Sequence, residues 1–175
     1  ADAIDHKVHV ITPSYVTDEI KSFNQKAIDN NVLILNEMGL DPGIDHMSAM
    51  KIIDEIKESG GVLTGFESFT GGLVAPESDD NPWNYKFTWN PRNVVLAGDG
   101  GAAKFIQEGK YKYIPYSKLF RRTEIISIDN YGKFEGYANR DSLRYRSIYG
   151  LDGIPTMFRG TLRKLGFCRA WNVFV

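Results

Sequence analysis

Residues 8–36 read VHVITPSYVTDEIKSFNQKAIDNNVLILN, and the order of signals within them decides the fold. Val8 to Thr12 is a short strand-like run. Thr17 stands where a helix N-cap is wanted, with Asp18 and Glu19 placed to complement the positive end of the helix dipole. Ile20, Phe23, Ala27 and Ile28 then fall on one helical face. Asn30 and Asn31, which tolerate left-handed backbone, stop the helix. Residues 32–36, VLILN, form a continuous apolar run, the look of a strand buried on both faces. Strand, helix, strand predicts a βαβ unit whose two strands are parallel.

Working outward, NEMGLDPG leads to a second helix from about His46 to Ser59. Met50, Ile53 and Ile56 give its core stripe, Met47 extends it, and Gly60-Gly61 ends it. VLTGFESFT reads as a strand stopped by Gly71-Gly72, and residues 73–84 as a loop rich in Pro, Asp and Asn. YKFTW (85–89) is a short strand, and Asn90-Pro91 starts a helix with proline at its first position. KYKYIPY, EIISI, KFEGYA and TMFRGTLRKLGF are further strands, LRYRSIY a helical turn, and FCRAWNVFV another element. The expected fold class is therefore α/β in front, with a boundary near residues 39–43, and an α+β remainder. That remainder is a mixed, largely antiparallel sheet with helices on one face. An element begins at residue 8 and WNVFV is an apolar finish, so both ends look cut.

Composition excludes several classes. A formal net charge of -1 argues against nucleic acid and against an anionic membrane surface as partner. No apolar run approaches the ~18 residues of a membrane span. The single cysteine, Cys168, forbids an intrachain disulfide and fits a reducing, cytoplasmic setting; it reads as a core thiol. Asp41, Asp45 and His46 have no second His or Cys near them in sequence, and ESDDN (77–81) lacks alternating ligand spacing, so no metal is expected.

VVLAGDGGAA (94–103) imitates a dinucleotide fingerprint, with Gly98, Gly100 and Ala103 in the G-x-G-x-x-A positions. A real fingerprint runs from a buried strand through the glycines into a helix, with an acidic residue about 20 positions on. Here a helix start at Asn90-Pro91 precedes the glycines, and position 119 is Leu. The pattern is read as a broken helix or loop.

More information lies in NEMGLDPGIDH (36–46), at the end of a buried parallel strand, where open α/β sheets bind ligands. Pro42 fixes φ and Gly43 tolerates φ > 0, so Asp41 is held in a tight turn. Its carboxylate either meets a cationic or hydroxyl-bearing ligand or caps its own turn; both readings stay open. His46 is expected to cap or pack on the following helix. Asn139, Arg140 and Asp141 end another strand-like run. Strand alternation puts Arg159, Thr161 and Arg163 on one face, and Phe158, Gly160 and Leu162 on the other. An Arg-Thr-Arg face suits a carboxylate-rich ligand, the alternative being a solvated strand face.

TPSYV (12–16), NEMGLDPGIDH (36–46), GGLVAPESDDNPWNYKFTW (71–89), NRDS (139–142) and RGTLRKLGF (159–167) together resemble the saccharopine reductase family, also called saccharopine dehydrogenase (L-glutamate-forming). The resemblance implies residues 1–40 as the end of a Rossmann domain whose glycine fingerprint lies upstream. It implies residues 41–175 as a truncated substrate-binding and dimerisation domain. The implied activity interconverts saccharopine with glutamate and 2-aminoadipate 6-semialdehyde in lysine metabolism, using NADP or NAD, in a homodimer. The fragment alone is expected to be inactive. Carried over by position, the substrate contacts are Ser14, Tyr15, Asp41, Arg140, Thr161, Leu162 and Arg163; Asp41 and Asn90 lie near the dinucleotide. Arg140 and Arg163 would clamp carboxylates, Tyr15 would bond a carboxylate or the amine, and Asp41 would favour an iminium electrostatically. No proton carrier is assigned. The family's T-S-Y is P-S-Y here, its proline before N-R-D-S is Ala138, and its cysteine before G-G-L is Thr70. The alternatives are a related imine reductase, such as carboxynorspermidine or homospermidine synthase, and a non-catalytic dimerisation module.

Overall fold

The computed structural model describes residues 1–88, 90–96 and 101–175, which divide into two compact units, Ala1–Ser59 and Gly60–Val175. In the first, β1 (Val10–Ile11) and β2 (Ile34–Leu35) pair in parallel with Val10 opposite Ile34. Between them run α2 (Asp18–Ser22) and α3 (Asn24–Asp29); α1 (Asp2–Asp5) precedes and α4 (Ile44–Glu58) follows. The βαβ unit is thus present, with Thr17 capping α2 through the Ile20 N–H and Asn31 in left-handed backbone after α3.

Two details differ from expectation. The single helix is two, broken at Phe23. Ser22 Oγ donates to the Glu19 carbonyl at 2.6 Å, and such back-bonding bends helices. The VLILN strand is not buried on both faces: Ile34 packs with Ile4, Phe23, Ala27 and Val32, while Leu33 and Leu35 are exposed. Only the helix-covered face is sheltered, so alternate side chains point out. The ladder is also shorter than residues 8–12. Helix α4 begins at Ile44, two residues before the expected start, buries Ala49 and Ile53, leaves Met47 exposed, and ends before Gly60, whose φ is +77°.

The second unit is built on a six-stranded sheet. Its path runs β5 (Lys110–Ile114), β4 (Ala103–Gln107), β8 (Met157–Lys164), β7 (Gly132–Ala138), β6 (Thr123–Ile128), and β3 (Phe66–Thr70) pairs in parallel with β8. The other pairings are antiparallel, as the sequence predicts. Helices α5 (Pro91–Val95), α6 (Tyr116–Leu119) and α7 (Phe167–Trp171) accompany it. Strand β8 is central, and its Gly160 leaves room for the neighbouring strand: a Cβ there would stand 2.4 Å from the Phe69 ring. One core gathers Ala103, Phe105, Phe120, Ala138, Phe167 and Cys168.

Residues 85–88, expected as a strand, form none, and Trp89 lies outside the described residues. Tyr85 packs instead on the Phe167 ring at 5.0 Å. Strand β4 was hidden by the glycine-rich stretch before it. Gly98 and Gly100 lie outside the described residues, but α5 precedes them and β4 follows. Helix-then-strand is the reverse of a dinucleotide turn.

Candidate functional site

In the first unit, the chain leaves β1 and β2 through two turns that bond to each other. Glu37 N donates to Ser14 O at 3.0 Å and Met38 N to Thr12 O at 3.1 Å; Asn36 Nδ2 also reaches Ser14 O. The Glu37 carboxylate accepts from Val16 N at 3.2 Å. These contacts present Tyr15 and Asp41 at the carboxyl ends of parallel strands, and Tyr15 Oη donates to Asp41 Oδ1 at 3.3 Å. Ser14 is bound locally, its hydroxyl accepting from Thr12 Oγ1.

The Asp41-Pro42-Gly43 turn has little freedom. Its Asp41–Pro42 bond is cis, and Gly43 has φ +151°. A Cβ on Gly43 would stand 2.1 Å from Gly39 O. The turn is followed directly by α4, whose first amides are committed: Ile44 N donates to Gly39 O, Asp45 N to Leu40 O and His46 N to Gly43 O. Asp45 Oδ1 accepts from Gly43 N at 2.8 Å. A helix N-terminus binds phosphate through such amides; here those of Ile44, Asp45 and His46 are taken by backbone carbonyls and do not form an anion cradle.

His46 lies in the first turn of α4, with Nδ1 3.6 Å from Asp45 Oδ2 and Nε2 3.8 Å from Glu37 Oε2. The expected packing on the helix is thus an arrangement between two carboxylates. No cluster of metal-ligating side chains forms among the described residues.

In the second unit, pairing of Tyr137 with Thr161 and Glu135 with Arg163 sets four polar side chains on one face of β7 and β8. The alternation predicted for RGTLR is present, yet the face is not a solvated one. Arg159 is 5% exposed and stacks on Tyr145 at 4.6 Å. Arg163 lies over Tyr85 at 5.1 Å and Phe167 at 5.3 Å. Its Nη1 donates to Leu162 O at 2.9 Å, while its buried Nε meets no acceptor among the described residues. The opposite Glu135 does not serve it: both carboxylate oxygens accept backbone amides at the start of α7, Gly166 N at 2.9 Å and Cys168 N at 2.8 Å. The guanidinium is thus held by aromatic rings with one donor unmet among the described residues, and a planar fork of this kind pairs geometrically with a carboxylate. Beside it, burial pushes the Tyr137 phenol up to about 12, against the pull of Arg163, so it stays protonated. Burial, then Glu135, pushes the Cys168 thiol up as well.

Leu162 turns a buried side chain away from this face, so only its backbone lies beside Arg163. Asn139 and Asp141 close local turns: Asn139 Oδ1 accepts from Arg140 N, and Asp141 Oδ1 from Leu143 N and Arg144 N. Arg140 is left with an exposed side chain, two residues past the end of β7. Asn90 Oδ1 accepts from Arg92 N at the start of α5. The acidic loop is locally satisfied: Asp79 accepts from Asn84, and Asp80 pairs with Lys86 at 2.8 Å. Sequence reasoning missed Glu37, Tyr85 and Tyr137. Only Tyr137 had a usable signal, its alternation within KFEGYA.

Comparison with known proteins follows the same lines. Residues 39–175 match the family model described as the saccharopine dehydrogenase C-terminal domain. The chain is 42% identical over 173 residues to saccharopine dehydrogenase [NADP(+), L-glutamate-forming] of Pyricularia oryzae, covering 99% of this chain and 38% of that protein. It is 39% identical over 174 residues to mitochondrial alpha-aminoadipic semialdehyde synthase of Rattus norvegicus, covering 98% of this chain and 19% of that protein. The apo structure of saccharopine dehydrogenase (L-Glu forming) from Saccharomyces cerevisiae superposes with a TM-score of 0.83 at 39% identity, over 95% of this chain and 37% of that one. The chain therefore spans less than two fifths of the length of these relatives.

Proposed function

The chain belongs to the saccharopine dehydrogenase family, a family of oxidoreductases, and on that premise we propose that it is the substrate-binding part of an NADP-linked, L-glutamate-forming saccharopine dehydrogenase of lysine metabolism. Residues 1–40 close a Rossmann domain and residues 41–175 are the substrate and dimerisation domain of a homodimer. The substrate is saccharopine, a secondary amine with three carboxylates. The single observation that carries this reading is Arg163, a half-buried guanidinium whose Nε finds no acceptor among the described residues.

The NADP assignment follows the names of the fungal relatives. Tyr15 and Asp41, at the carboxyl ends of a parallel strand pair, fit the reacting end of a dinucleotide. The first amides of α4 do not fit its phosphates, because they are already committed. When bound, the nicotinamide supplies the hydride acceptor or donor. This chain's residues do the positioning. Arg163 holds one substrate carboxylate, Thr161 borders it, and Arg140 takes a second farther along the sheet. Tyr15 directs its hydroxyl towards the amine or a carboxylate, and Asp41 stabilises the positive charge that develops as the amine becomes an iminium. Water then releases glutamate and the semialdehyde. Asn90 borders the cofactor. We place the protein in the cytoplasm, where Cys168 stays reduced, although the rat relative is mitochondrial by name. No helix among the described residues is long and apolar enough to cross a membrane.

The test is turnover by the full-length protein with saccharopine and NADP, followed by the absorbance of the reduced nicotinamide. Reduction that depends on saccharopine is the expected result. Folded protein that ignores saccharopine but reduces a polyamine imine would replace this reading with that of a related imine reductase.

A further inference from the structure

We propose that His46 is a positioning residue that locks together the two turns carrying Tyr15 and Asp41; this rests on the reading of those two residues as site residues. Each turn is held by one carboxylate through one of its two oxygens. Glu37 Oε1 accepts from Val16 N at 3.2 Å, next to Tyr15. Asp45 Oδ1 accepts from Gly43 N at 2.8 Å, two residues after Asp41. The remaining oxygens, Glu37 Oε2 and Asp45 Oδ2, face the two nitrogens of the same imidazole at 3.8 and 3.6 Å. All three side chains are largely shielded, at 14% exposure for His46, 20% for Glu37 and 4% for Asp45.

Three consequences follow from this placement. Two carboxylates this close, shielded from water, repel each other. A doubly protonated imidazole between them presents an N–H towards each and cancels that repulsion. The separations exceed a normal hydrogen bond, so a protonated ring holds the two carboxylates by charge rather than by two direct hydrogen bonds. The turns are joined a second time where Tyr15 Oη meets Asp41 Oδ1 at 3.3 Å. That contact lies within the proposed site, and its long distance makes it sensitive to any shift of either turn. Through Glu37 and Asp45, His46 acts on the two turns that carry Tyr15 and Asp41.

The experiment uses the full-length protein and four variants: His46→Ala, His46→Gln, Glu37→Gln and the double variant His46→Ala/Glu37→Gln. Hydrogen exchange at the Val16 and Gly43 amides is read beside kcat and KM for saccharopine. In His46→Ala, both amides are expected to exchange about tenfold faster as the turns loosen. Its kcat should fall on the order of 10²-fold, the effect of a small misplacement of reacting groups, with KM changed less. His46→Gln keeps an amide donor within reach of Glu37 and should recover part of the loss. The double variant should be no worse than His46→Ala, because Glu37 would already be uncoupled. Unchanged exchange at both amides overturns the proposal, and so do losses that multiply in the double variant. Should the unsubstituted protein not turn saccharopine over, the functional reading fails and the amide exchange alone decides for or against His46.

Discussion

Replacing Arg163 by alanine tests the proposed carboxylate clamp, because it removes a guanidinium whose Nε meets no acceptor among the described residues. The expected magnitude follows from its hydrogen bonds. Nη1 is spent on Leu162 O at 2.9 Å, and Glu135 is spent on the Gly166 and Cys168 amides. That leaves Nε and Nη2 to face a carboxylate edge. A hydrogen bond to a charged group contributes about 1.5–3 kcal/mol, and a planar fork makes two of them. Losing both costs about 3–6 kcal/mol, a fall in kcat/KM on the order of 10²- to 10⁴-fold at 1.4 kcal/mol per decade. The ring contacts to Tyr85 and Phe167 add a separate loss of about 0.5–2 kcal/mol in stability. Arg163→Met separates the two effects, keeping an apolar stem against the rings but no fork. It should lose as much activity as the alanine variant and less stability. Arg163→Lys keeps the charge without the planar fork and should fall between alanine and the native residue. The assay is initial rate against saccharopine concentration in the full-length protein, with thermal unfolding measured alongside. A folded Arg163→Ala protein within about threefold of the native kcat/KM would refute the reasoning, because an unused fork has no such cost.

Two further outcomes follow from the fold itself. Gly43→Ala should destabilise the protein by about 3 kcal/mol or more in urea unfolding, since its φ is +151° and the new Cβ would stand 2.1 Å from Gly39 O. Gly60→Ala, with φ +77° but open space around it, should cost only about 1 kcal/mol. Stability should also decline in alkali. Tyr137 rises on folding from 10.0 to about 12, so the unfolded chain gives up that proton first; the stabilisation is complete below pH 10 and is lost as pH rises towards 12. Cys168 is raised in the same sense from 9.0, so the decline begins near pH 9. Tyr137→Phe should flatten the upper part of the curve, and an unfolding midpoint equally steep in that variant would count against the assignment.

The sequence by itself determined the elements whose signals are local. Thr17 caps its helix, Asn31 and Gly60 end theirs in left-handed backbone, and alternation in RGTLR sets Thr161 and Arg163 on one face of β8. The ordered motifs also carried the family, which matches over residues 39–175. What the sequence could not decide were properties that depend on which partner arrives. The break at Phe23 follows from one hydroxyl turning back onto Glu19. The exposure of Leu33 and Leu35 follows from helices covering a single face of the β1–β2 pair. Strand β4 finds its place between β5 and β8, and Tyr85 of the expected strand at 85–88 packs on the Phe167 ring instead. The site shows the same division. Residue types named Arg163 and Asp41 as candidates. Only the tertiary structure placed Glu135 on the α7 amides, leaving the Arg163 Nε without an acceptor among the described residues, and His46 between Glu37 and Asp45. The physical reason is that caps and alternation are settled within a few residues of chain. The satisfaction of a charge is settled by whichever groups the whole fold brings within reach of it.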